Sequence, residues 1–370
     1  MDQSVICGNK VFSTVVGEEC MRSGTLADIE QGRDNNLNLI RILAAFGVLV
    51  SHAWPVSTGD IKQQPFVNVL NGIDLGIVCV SIFFAISGYL IARSFDRNPN
   101  IKRFWLARVL RIFPGLLIAL LLTVFILAPL VTTAPYEALW RAAPEYILRN
   151  FTLFSLDQSL PGVFKSNPAG GVVNIPLWTL SHELVCYMSV VVFGIVGALK
   201  NPRLMFLVCL VFVAVYGLVI YYEPQQRLVA LAKLAFPFMI GIIFYVWRQT
   251  LRLNWMIGGA LILLAIAFHG TPFFREFFMV ALAYAVFLVA YLPRGLIREY
   301  NKVGDYSYGV YIYAFPLQQL IASFGITNPF LNILYTLPLV LICAYLSWTF
   351  IEKPAIDLTR RTRRLRNKEF

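Results

Sequence analysis

Charge is scarce in this chain. Of its 370 residues only 14% are Asp, Glu, Lys or Arg, while 58% are hydrophobic; a soluble domain carries about 25% charged residues. There is too little polar surface to coat a water-soluble globule. Acidic residues are the scarcer sign, 20 against 31 basic, leaving a net charge of +11. That excess does not signal nucleic acid. It sits mostly in short connections and in the tail "RRTRRLRNKEF", as in cytoplasmic segments of a membrane protein. Cysteines are few and scattered (Cys7, Cys20, Cys79, Cys186, Cys209, Cys343) with no CxxC pair, so neither disulfides nor a metal site is expected. A cleavable signal peptide is missing too: residues 1–36 are mixed polar, without an apolar core followed by small residues. Histidine occurs three times, at 52, 182 and 269.

What the chain has in abundance is long apolar runs, with a mean hydropathy of +0.68. Such runs imply an all-α polytopic membrane protein, because only a helix satisfies its own backbone in lipid. Ten spans are predicted at roughly 38–56, 69–94, 113–132, 174–198, 203–222, 228–247, 254–269, 274–292, 306–325 and 331–351. Residues 1–36 read as a cytoplasmic arm, partly disordered; 37–357 as the transmembrane domain; 358–370 as a basic cytoplasmic tail. Residues 98–112 read as an interfacial helix with basic and aromatic faces. Placing both termini inside puts the basic excess inside, including Arg93, Arg97, Lys102, Arg103, Arg108 and Arg111. The long connection 133–173, rich in Pro, Gly and Asn, then lies outside and reads as a lid or substrate-facing surface.

The first span carries Arg41 and His52, each costly in hydrocarbon and therefore expected to face protein or a wet cavity. Eleven residues apart, they differ by three turns and roughly 20°, so they share one stripe with a rise of roughly 16 Å between them. Such a stripe can line a tunnel with a cation at its inner mouth and a base near its outer mouth. The plainer alternative is that Arg41 anchors the helix end and His52 meets headgroups.

Six stretches in sequence order resemble the membrane-bound acyltransferase-3 family: "RILAAFGVLVSH" (41–52), "SIFFAISGYLI" (81–91), "RFWLARVLRIFP" (103–114), "LWTLSHEL" (177–184), "DYSYGVYIYAFP" (305–316) and "SWTFIEKP" (347–354). The resemblance implies transfer of an acyl group, usually acetyl from cytoplasmic acetyl-CoA, to a hydroxyl of a glycan or lipid-linked saccharide at a bacterial plasma membrane. Relatives with an extracellular hydrolase-like domain exist; none is expected here, since about 13 residues follow the last motif. The family's essential histidine falls on His52. Two departures stand out: Ala314 where many relatives carry histidine, and Ser81 where many carry an acidic residue.

The chemistry asks for a held donor, a base for the attacking hydroxyl and a stabilised oxyanion. His52 is the candidate base, with an unperturbed pKa of about 6.5. Arg41, Arg108, Arg111 and Arg103 are candidates for a clamp on CoA phosphates, with Glu352 as an ion-pair partner within it. Ser87 and Tyr89 are candidate hydrogen-bond donors beside the donor arm. Glu183 is expected to orient or balance His52; Asp74, His182 and Trp178 are candidates for the acceptor sugar. Trp178 and His182 equally fit an interfacial role, as does His269. A succinyl or other short acyl donor remains open, as do homo-oligomerisation and the acceptor's identity. From another class altogether, a transporter or flippase accommodates the same buried charges.

Overall fold

The computed structural model describes residues 24–30, 32 and 34–358; the expectation of disorder for the first 23 residues and the basic tail beyond 358 lie outside the described residues. The protein is an all-helical bundle. Its elements are α1 (Leu37–Thr58), α2 (Leu75–Arg97), α3 (Ile101–Val131), α4 (Tyr136–Thr152), α5 (Trp178–Ile195), α6 (Pro202–Tyr222), α7 (Gln226–Val246), α8 (Trp255–Ala267), α9 (Phe274–Tyr291), α10 (Ser307–Ser323) and α11 (Pro329–Leu358). Each of the ten apolar segments forms a helix. Among the described residues, eight helices are long and apolar enough to cross a membrane; α8 with 13 residues and α10 with 17 are shorter than the ~20 that crossing needs.

The centre of the bundle is α2, which packs against α1, α5, α7 and α9. Its tightest contact is with α7. A Cβ on Gly88 would stand 2.0 Å from the carbonyl oxygen of Phe238, and one on Gly241 would stand 2.1 Å from that of Ala85. The two backbones therefore touch, as small residues allow in membrane bundles. Helix α10 is almost wholly enclosed between α1 and α11, with Gly309 against the Ala344 backbone. By contrast, α6 buries only Met205 and Tyr216 and presents its remaining apolar surface outward, as a lipid-facing helix does.

Three parts differ from expectation. Residues 98–112 are not a separate interfacial helix. They open α3, a continuous helix of 31 residues, roughly 46 Å long, that runs through Pro114. Arg108 and Arg111 turn inward to partners instead of facing headgroups, and Gly115 lets Tyr308 approach to 2.9 Å of where a Cβ would stand. The connection 133–173 contains α4 and then folds back on α10: Asn167 donates to Gln319, and Gln319 donates to the carbonyls of Gly170 and Val172. The segment preceding α1 is wedged into one end of the bundle. Leu26 and Ala27 donate to the carbonyls of Leu251 and Arg248, and Glu30 pairs with Arg93 and Arg248.

The α2–α7 crossing yields the first test. Gly241→Ala forces the backbones apart and is expected to cost about 1–3 kcal/mol, seen as a lower unfolding temperature in detergent. Gly217→Ala and Gly259→Ala, with open space around them, are expected to leave that temperature unchanged or slightly raised. Equal behaviour of all three would refute backbone contact at the crossing.

Candidate functional site

Helix α1 carries Arg41 near its start and His52 near its end, and both face cavities within the bundle. At the histidine end, α1, α2, α7 and α9 with the residues leading into α5 enclose a cavity of about 740 Å³. His52 lines it, with its ring edge against Phe315 at 5.3 Å between centroids and Nδ1 buried without a hydrogen-bond partner. Asp74 lines the same cavity while capping α2: its Oδ1 accepts from the Ile77 amide (2.9 Å) and the Ser51 hydroxyl (3.1 Å). Trp178 also lines it. His182 is drawn aside, its Nδ1 2.8 Å from the Trp178 carbonyl and Nε2 3.4 Å from that of Arg227. The cavity's wall includes Pro176, Trp178 and Thr179 but no residue of 133–173, so that connection braces α10 and does not line this chamber.

A throat of about 50 Å³ leads on from this cavity, Val80, Thr179 and Tyr311 lining both. It has room for one or two waters. Arg41, Ser87, Glu183, Phe83 and Tyr308 are among the other residues of its wall. Glu183 accepts from Ser87 Oγ at 3.3 Å and from the Tyr187 hydroxyl; it has no bond to His52, since it sits one cavity further along. Arg108 lies over the rings of Phe104 and Tyr187 at 5.6 and 5.9 Å, with Nε buried and unpartnered. The Tyr311 hydroxyl is 2.6 Å from Thr179 Oγ1.

At the arginine end lies a third cavity, about 490 Å³, lined by Arg93, Arg111, Lys302, Lys353, Asp305 and Trp348 among others. Between it and the throat stands a knot of buried charge. Asp305 accepts from Arg41 at 2.7 Å and from Arg111 at 2.6 Å; Arg111 also reaches Glu352 at 3.4 Å. Glu352 is brought inward by a π turn, Trp348–Glu352, and accepts from Ser347 Oγ at 2.9 Å. Asp305 further accepts from the hydroxyl of Ser307, the first residue of α10, at 2.5 Å. Burial works to raise the Asp305 pKa. The two guanidiniums and Ser307 outweigh it and hold the carboxyl at about 2.

Four sequence candidates line none of these cavities: Arg108 and His182, placed as above, and Arg103 and Tyr89. Arg103 is exposed on the first turn of α3. Tyr89 is fully buried against Tyr245 and Phe287 and donates to Glu30, so it secures the segment before α1. Three residues that the sequence reading did not single out for the site do belong to it. Asp305 stands two places ahead of a helix-initiating Ser, a capping pattern that marks it in retrospect. Lys233 and Arg275 line the histidine-end cavity; Lys233 was visible as a lone cation within an apolar run. Among the described residues, no cluster of three His, Cys, Asp or Glu is placed to hold a metal ion.

Removing Asp305 leaves two buried guanidiniums facing one another. Asp305→Asn is expected to cost about 3–5 kcal/mol. The group's folded pKa lies below its unfolded value, so its contribution is complete above about pH 4 and is lost as pH falls through about 2. Unfolding temperatures of wild type and variant, compared across pH, should differ by a constant amount from pH 5 to 8 and converge below pH 4. A gap undiminished at pH 2 would contradict the pairing.

The chain is similar to known proteins over most of its length. The family model described as an acyltransferase domain matches residues 34–352. A protein named O-acetyl transferase, from Shigella phage Sf6, is 27% identical over 335 residues, covering 87% of this chain and 96% of the relative. Nodulation protein 10, from Rhizobium leguminosarum bv. viciae, is 27% identical over 363 residues, covering 88% and 94%. No solved structure matches. With a match that spans the helical bundle and both of its mouths, the chain belongs to the acyltransferase-3 family.

Proposed function

We propose that this protein moves an acyl group, most simply acetyl from acetyl-CoA, across the bundle to a hydroxyl of a surface glycan or lipid-linked saccharide, with His52 as the base. The observation that carries the reading is the line of cavities along α1, with Arg41 on the throat and His52 on the larger chamber. Its name makes the phage relative an O-acetyl transferase, and that supports the reaction class.

In this reading the arginine end faces the cytoplasm and the histidine end faces outward, in a bacterial inner membrane. The arginine-end cavity suits a polyanionic donor: Arg93, Arg111, Lys302 and Lys353 line it, and Trp348 offers a ring face. An incoming phosphate competes with Asp305 and Glu352 for Arg111, because guanidinium pairs equally well with either oxyanion. The donor's thioester arm then occupies the throat beside Ser87, Glu183 and Arg41. The acceptor hydroxyl enters the larger cavity, with Trp178 and Asp74 beside it. His52 takes the hydroxyl proton as the oxygen attacks the thioester carbonyl. The C–O bond forms, the C–S bond breaks, and the leaving thiolate takes the proton back.

His52→Ala is expected to reduce transfer from radiolabelled acetyl-CoA to glycan by about 10²–10⁴-fold, while acetyl-CoA binding to the purified protein is unchanged. Transfer within a few-fold of wild type, at equal protein level, overturns His52 as base. Mass spectrometry of the host's surface glycans with and without the protein reads the acyl mass and its acceptor together. A succinyl increment in place of acetyl would correct the donor.

A further inference from the structure

We infer that the histidine-end cavity grips its acceptor by an anionic group, phosphate or carboxylate, through Lys233 and Arg275. The inference rests on the proposed reaction and narrows its acceptor class.

Lys233 sits inside α7, within an apolar helix long enough to cross a membrane, and lines the cavity that holds His52. Arg275 lines the same cavity from the first turn of α9. Neither has an ion-pair partner among the described residues. The carboxylates Glu276 and Asp74 act on Arg275 without reaching ion-pair distance, and Glu276 keeps one oxygen buried and unpartnered. Glu276 accepts from the Tyr216 hydroxyl at 2.5 Å, and Asp74 is engaged in capping α2 and accepting from Ser51. Glu223 also lines the cavity, but it is exposed at the end of α6, where water solvates it.

The contrast with the opposite end is informative. There Arg41, Arg93 and Arg111 each have a carboxylate within 4 Å, and Arg108 lies over two aromatic rings instead. Cations kept in a membrane bundle are ordinarily paired, because an unpaired one is costly. Two cations without an ion-pair partner among the described residues, on the wall of the chamber that His52 also lines, leave a charge requirement that a neutral sugar does not meet. A phosphate or carboxylate meets it with charge-assisted hydrogen bonds.

Two chemistries share that group: the diphosphate that tethers a saccharide to a lipid, and an acidic sugar within the saccharide. The test uses protein in nanodiscs, labelled acetyl-CoA, and three acceptors: a neutral oligosaccharide on a lipid diphosphate, the same oligosaccharide free, and a free oligosaccharide containing a uronic acid. Lys233→Gln and Arg275→Gln are expected to raise KM for the anionic acceptor tenfold or more, the loss of one charge-assisted bond. They should change kcat less than threefold and leave KM for the neutral acceptor unchanged. Lys233→Arg and Arg275→Lys are expected to restore KM. Preference for the first acceptor assigns the group to the diphosphate; preference for the third assigns it to the acidic sugar. Equal KM for charged and neutral acceptors in wild type, unchanged KM in the Gln variants, or a fall in kcat alone overturns the inference while leaving the transferase reading intact. Wild type that binds acetyl-CoA yet acylates none of the three overturns both.

Discussion

A single carboxylate, Asp305, carries the organisation of the arginine end. It accepts from Arg41 of α1 and Arg111 of α3 and from the first residue of α10. Three helices far apart in sequence are thereby tied at one point, and Glu352 adds α11 through Arg111. Two guanidiniums buried this close would repel without that carboxylate, and desolvation would add to the cost. The knot therefore lets a membrane bundle keep a concentration of positive charge that a polyanionic donor can exploit. It also stands between the cavity that such a donor would enter and the throat beyond it.

The rest of the bundle holds the throat narrow. The glycine contact between α2 and α7 draws α2 inward, and α2 supplies Val80, Phe83, Phe84 and Ser87 to the throat wall. Helix α10 supplies Ser307, Tyr308 and Tyr311 from the opposite side and is fixed by Asp305 at its start and by bonds from Gln319 to 170–172 near its end. Tight packing is thus concentrated where the cavities meet, whereas α6 is left largely to the lipid.

Much of the fold was legible because its signals are local. Ten apolar runs gave ten helices, since length and hydropathy depend on each segment alone. Helix ends were less so: Ile-Phe-Pro-Gly reads as a boundary at 112–115, yet α3 continues through it because Tyr308 and Glu352 pack against Gly115. The shared stripe of Arg41 and His52 follows from helical period and needs no partner to be seen. Partners are what a single sequence conceals. Glu183 looked like a companion of His52 and instead bonds Ser87 and Tyr187. Tyr89 looks like a ligand contact and instead donates to Glu30, a residue 59 places earlier in an arm with no motif. Asp305, inside a recognised motif, was passed over because its importance comes from two arginines at separations of 264 and 194 positions.

The throat sets the remaining physical condition. About 50 Å³ holds a water or two but no acyl-thioester arm. A donor entering from the arginine end must therefore displace side chains before its carbonyl can near His52. The residues best placed to yield are Phe83 and Tyr311, which meet edge to face at 6.0 Å, with the Arg41 guanidinium 5.9 Å from the Phe83 ring. Arg41 belongs at once to that aromatic contact and to the Asp305 pair. In the proposed reaction, a phosphate that draws Arg41 from Asp305 would loosen its contact with Phe83 as well.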